Sequence, residues 1–80
     1  MTYGRIEVQV AGHAREFFPG GRDRHWVDLA GPATAREIIE QLGVSPDLVM
    51  AVFVDGELRD KDAVPPPGAI LLLISPPSGG

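Results

Sequence analysis

The chain has 80 residues, which allows one domain and rules out two, because domains usually run to about 100 to 150 residues and a core built from fewer than about 70 to 80 is marginal. With 44% apolar and 22% charged residues it has a globular composition, too apolar for a disordered chain and too interrupted for a membrane one. Seven Lys plus Arg against eleven Asp plus Glu give a net charge of −4, without the basic footprint of a nucleic-acid binder, and the lack of cysteine excludes a disulfide framework, a thiolate metal site, a thiol nucleophile and a side-chain persulfide.

From Tyr3 to Val10 the sequence alternates, with Ile6, Val8 and Val10 on one face and Arg5, Glu7 and Gln9 on the other, the period of a half-buried strand. Gly12-His13-Ala14-Arg15 turns the chain, and Pro19-Gly20-Gly21 with Arg22-Asp23-Arg24 reads as an exposed loop. A second strand, His25 to Leu29, returns antiparallel, with Val27 and Leu29 inward and Trp26 and Asp28 on the other side. Thr34-Ala35-Arg36-Glu37 is a capping box, so a helix of about nine residues starts near Thr34. Ala35, Ile38, Ile39 and Leu42 form its apolar stripe, Arg36, Glu40 and Gln41 face water, and Gly43 stands where a left-handed cap is wanted. Ser45-Pro46-Asp47 can open a short helical turn, with Ser45 as its cap.

Met50 to Val54 is a β-branched, apolar strand, Asp55-Gly56 a two-residue hairpin turn, and Glu57-Leu58-Arg59 a short return strand suited to a sheet edge. Asp60-Lys61-Asp62 and Pro65-Pro66-Pro67-Gly68 allow little beyond tight turns. Ala69 to Ile74 is apolar without alternation, as in a central strand covered on both faces. One helix cannot cover both faces, so either the sheet folds over or one face of this strand is kept for a partner. The order strand, strand, helix, strand, short strand, strand, with the last strand beside and parallel to the first, is the α+β β-grasp arrangement: a mixed sheet of about five strands with one main helix across one face. Residues 1–74 form this domain and residues 75–80 an extended tail.

Side-chain chemistry is sparse. His13 and His25 sit in or beside loops, with no Cys and no second histidine at helical spacing, and read as surface residues rather than metal ligands. Ser45, Ser75 and Ser78 lie beside Pro or Gly, outside the strand-turn-helix setting of a nucleophilic serine. Gly20-Gly21 is not followed by a phosphate-binding lysine; the single Lys of the sequence is Lys61, in an acidic turn. No signal peptide opens the sequence, and no apolar run approaches the roughly 20 residues that span a bilayer, so a cytoplasmic protein with no membrane partner is expected.

What remains is the end, Ile74-Ser75-Pro76-Pro77-Ser78-Gly79-Gly80. A β-grasp order ending in Gly-Gly resembles the ubiquitin-like sulfur carriers of the MoaD/ThiS type, and the Pro-Pro followed by Ser-Gly-Gly looks most like the small subunit of molybdopterin synthase, the MoaD type. Arg15-Glu16 after the first strand and Asp55-Gly56 in the hairpin agree with it. The usual family ending is Pro-Pro, an apolar residue, Ser or Thr, then Gly-Gly, whereas here the prolines stand one residue nearer the end.

The resemblance implies that an E1-like adenylating enzyme (MoeB/ThiF-like) activates the carboxylate of Gly80 with ATP, and that a sulfur donor converts it to a thiocarboxylate. It then supplies sulfur within a large subunit (MoaE-like) or another acceptor enzyme, in molybdenum cofactor biosynthesis. The chain would bind no cofactor itself and contribute no catalytic side chains. An α-carboxylate, with a pKa of about 3.3 to 3.7, is anionic at pH 7 and a poor electrophile until activated. Gly79 and Gly80 suit a narrow slot because they lack Cβ, and Pro76 and Pro77 stiffen the stem. Counting back from Gly80, the resemblance places Leu71 and Leu73 in the core and Leu72 and Ile74 toward the partner, with Ile74 as anchor. Related branches deliver sulfur for thiamin or tRNA thiolation, or conjugate the terminus to protein lysines. A different class of function is a β-grasp binding module whose tail is idle.

Overall fold

The structure is a computed structural model describing residues 3–75. Five strands, β1 (Gly4–Ala11), β2 (Arg24–Leu29), β3 (Ala51–Val54), β4 (Glu57–Arg59) and β5 (Ile70–Ile74), form one sheet in the order β2-β1-β5-β3-β4. β1 and β5 run parallel at the centre, and the other neighbouring pairs are antiparallel. This is the β-grasp order expected from the sequence. The connection back to β5 starts from the far edge, so the last strand is inserted between β1 and β3 and hydrogen-bonded on both sides.

The helix α1 (Ala35–Gln41) begins at Thr34 with the predicted capping box: Thr34 Oγ1 accepts from the Glu37 N–H at 3.1 Å, and Glu37 Oε1 accepts from the Thr34 N–H at 2.9 Å. The next two free N–H groups, of Ala35 and Arg36, donate to the Ala63 and Lys61 carbonyls, both at 2.9 Å. The turn after β4 therefore completes the helix N-terminus. α1 has seven residues rather than about nine, because Thr34 and Leu42 stand outside it as caps and Gly43 leaves the helix at φ 81°. Ser45 caps the predicted short turn, Pro46–Leu48, by accepting from the Asp47 N–H at 3.3 Å.

Ala35, Ile38 and Ile39 of α1 pack on Ile6, Val8, Val10, Val27, Leu29, Val52, Leu71 and Leu73, all buried, so that one sheet face carries the core. The chain turns after Gly12 and residues 19–24 are exposed, as expected; the turns are 3₁₀ in form, at His13–Phe17 and Pro19–Gly21. Phe18 between them is buried at 2% exposure, whereas Phe17 remains 59% exposed. His25 is half-buried rather than a plain surface residue, its ring 5.8 Å from that of Phe18 and its Nε2 2.9 Å from the Arg22 carbonyl oxygen. No helix among the described residues is long and apolar enough to cross a membrane.

Candidate interaction face and root of the tail

Although its sequence shows no alternation, β5 alternates in burial. Leu71 and Leu73 are buried, Leu72 and Ile74 half-buried, and Ile70 is 41% exposed. The register makes the split. Leu71 stands opposite Val8 and Val54, and Leu73 opposite Val10 and Val52, all on the helix side. Leu72 stands opposite Gln9 and Phe53, and Ile74 opposite Ala11 and Ala51, on the face that no helix covers. Among the described residues no helix covers this second face, and Leu72 and Ile74 are left half-buried on it.

That open face has two halves. Across β2 and β1 it carries Arg24, Trp26, Asp28, Arg5, Glu7 and Gln9, whose charges are mutually compensated. Arg5 Nε lies 2.9 Å from Asp28 Oδ1, and Glu7 Oε2 takes both Gln9 Nε2 at 2.6 Å and Arg24 Nε at 3.4 Å. The hydrogen bond to Asp28, and then its charge, hold the Arg5 guanidinium above its ordinary pKa. Across β5, β3 and β4 the face is apolar, with Ile70, Leu72, Ile74, Ala51, Phe53 and the 65% exposed Leu58. Its centre is a shallow hollow lined by Gln9, Phe53, Asp55, Gly56, Ile70 and Leu72. Asp55 anchors one rim: at φ 49° it begins the hairpin turn that Gly56 completes at φ 86°, and its Oδ1 accepts from the Ile70 N–H at 2.9 Å.

β5 ends at Ile74 beside Ala11 and Ala51, and the Met50 N–H donates to the Ile74 carbonyl at 2.8 Å. Ser75 Oγ then donates to the Ala11 carbonyl at 3.3 Å. Gly12 makes room for this contact. Its φ of 85° and ψ of −158° suit glycine, and a Cβ there would lie 2.9 Å from Ser75 Oγ. Sequence reasoning did not single out Gly12 in this role, because only the parallel pairing of β1 with β5 brings it to Ser75. The other predicted site residues, Pro76, Pro77, Ser78, Gly79 and Gly80, lie outside the described residues. Among those described, no three His, Asp or Glu side chains come together as a metal site would need.

No protein-family model matches the sequence, and no curated protein is significantly similar to it. Solved structures do match. SAMP1 from Haloferax volcanii superposes with a TM-score of 0.73 at 23% identity, over 96% of this chain and 100% of that one. A protein described as molybdopterin converting factor, subunit 1, from Pyrococcus furiosus gives 0.70 at 16% identity, over 91% and 98%. The likeness spans nearly the full length on both sides and establishes the fold as α+β, of the ubiquitin-like β-grasp kind.

Proposed function

We propose that the chain is a ubiquitin-like sulfur carrier of the MoaD type, with the carboxylate of Gly80 as its reacting group. The observation that supports this most is the placement of β5. The strand whose sequence continues into Ser75-Pro76-Pro77-Ser78-Gly79-Gly80 is the central one, hydrogen-bonded to β1 and β3, in a fold shared almost end to end with a molybdopterin converting factor subunit. A central strand is among the last parts of a domain to open, so the root of the tail is a fixed point from which a terminus can be presented.

In the proposed reaction an E1-like adenylating enzyme brings ATP. A Gly80 carboxylate oxygen attacks the α-phosphorus, pyrophosphate leaves, and the carboxylate becomes an acyl adenylate. Hydrogensulfide released from the donor then adds to the carbonyl carbon, the bond to AMP breaks so that AMP departs, and the S–H proton passes to solvent, which leaves the thiocarboxylate. The chain holds ATP at no site of its own and serves as substrate and carrier. The apolar half of the open face, with Leu72 and Ile74 at its centre, meets the activating enzyme and then the large subunit or other acceptor, as exposed apolar patches commonly meet partners.

The test is the intact mass after incubation with ATP, a sulfide source and an E1-like enzyme known to activate MoaD-type carriers. A gain equal to one oxygen replaced by sulfur, absent when Gly80 is deleted, is the expected result. An unchanged mass, with an enzyme that thiolates its own carrier in parallel, overturns it and favours the binding module, which would keep its partner after loss of Gly79 and Gly80. Amide adducts on lysines of other proteins, without thiocarboxylate, would favour the protein modifier instead.

A further inference from the structure

An acyl adenylate reacts with amines as well as with sulfur, and the activated carrier brings an amine with it. Lys61 is the one lysine of the sequence. It follows β4 off the end of the sheet at which β5 finishes: Arg59, the last residue of β4, stands opposite Val52, which stands opposite Leu73. The six residues from Ser75 to Gly80 span up to about 20 Å when extended. Attack by the Lys61 amine on the Gly80 carbonyl carbon would form an amide, break the bond to AMP and release the amine's proton to solvent. The carrier would then be spent as a closed loop, or as a covalent dimer if two copies met.

We infer that the fold withholds Lys61 from the activated terminus. Although its neighbour Asp62 has a side chain that is 76% exposed, Lys61 is half-buried and turned back to the short turn before β3, where its ammonium donates to the Pro46 carbonyl at 2.7 Å. A charge-assisted bond of that length ties up the nitrogen that would have to present a free lone pair. The surrounding turn is held firmly: the Lys61 carbonyl accepts from the Arg36 N–H, Asp60 Oδ1 accepts from the Asp62 N–H at 2.8 Å, and Arg36 pairs with Asp62 at 3.2 Å. Among the side chains the remaining cations are six arginines, whose guanidinium groups do not act as acyl acceptors. This role rests on the carrier function proposed above.

Two measurements on the whole chain separate the two ideas. The wild type is compared with the double variant Lys61→Arg/Asp62→Lys, which moves the amine one residue along, onto the exposed position. First, N-hydroxysuccinimidyl acetate is used as the acylating probe, with site-resolved mass analysis. Lys61 should react about tenfold or more slowly than the relocated amine, the factor expected at the low end for a charge-assisted hydrogen bond. Equal rates overturn the inference whatever the function is. Second, both proteins are given ATP and the E1-like enzyme without a sulfur source. An amide at the lysine, located by site-resolved mass analysis and seen as the loss of one water or as a dimer of twice the mass less one water, should appear in the variant and not in the wild type; an amide at Lys61 in the wild type overturns the inference. If neither protein is adenylated, with no pyrophosphate released, the carrier function fails and the protective role with it, while the acetylation ratio still reports whether Lys61 is held.

Discussion

Leu71 and Leu72 are neighbours of one residue type in one strand, and their replacement by Ala should have unequal consequences. Leu71 is fully buried between Val8 and Val54 under the helix. Truncating such a leucine removes its transfer free energy and leaves a cavity, about 3 kcal/mol within the usual range for Leu→Ala. Leu72 is half-buried on the open face, where truncation forfeits part of the transfer term and leaves no enclosed void, about 1 kcal/mol. In a domain of this size each kcal/mol moves the midpoint by roughly 4 to 8 °C, so Leu71→Ala should melt roughly 12 to 24 °C below wild type and Leu72→Ala roughly 4 to 8 °C. Circular-dichroism melts at two protein concentrations, with urea titrations to confirm a common slope, make the comparison. Equal losses at both positions would refute the reasoning, because they would mean that the second face is covered in the free protein.

Thr34→Ala should cost about 1 kcal/mol, read from urea unfolding, because it removes the acceptor for the Glu37 N–H, and Thr34→Ser should restore most of it. Gly12→Ala should cost about 1 to 3 kcal/mol by the same measurement. It should be worse than Gly43→Ala, where the positive φ is also strained but nothing lies within 4 Å of the added Cβ. On the proposed carrier function, Ile74→Asp should weaken binding to an E1-like enzyme by on the order of tenfold or more, measured by calorimetry, while melting above Leu71→Ala.

Much of the fold was legible because each signal was local. The alternation of Ile6, Val8 and Val10, the Thr34–Glu37 box and the Asp55-Gly56 turn each constrain a few consecutive residues, and the structure reproduces all three. Phe18 escaped, since a Phe-Phe pair beside Pro19 has no period and only the tertiary fold decides which ring goes in. The buried identity of Leu71 and Leu73 was also invisible to periodicity. Six consecutive apolar residues fit either phase, and it was the resemblance, counted back from Gly80, that placed these two inward before the register with Val8 and Val10 did so. Lys61 read as part of an acidic turn because its acceptor, the Pro46 carbonyl, is 15 positions away, and a backbone carbonyl leaves no mark in the sequence.

The division of the open face bears on how a partner can use it. Covering the β2–β1 half would desolvate Arg5, Asp28 and Arg24, which are exposed, and the half-buried Glu7; pairs of this kind, at 2.9 and 3.4 Å, gain little from one another and would lose hydration. Covering the β5–β3–β4 half removes Ile70, Leu72, Ile74, Phe53 and Leu58 from water and breaks no ion pair, so association there is favoured by roughly 25 cal/mol for each Å² of apolar surface buried, before the costs of immobilisation. A partner footprint confined to that half is also off-centre toward the β4 edge. β5, which leads to Gly80, then forms the boundary between the covered and the solvated halves, so a partner seated on the apolar side holds the root of the tail without having to enclose the whole sheet.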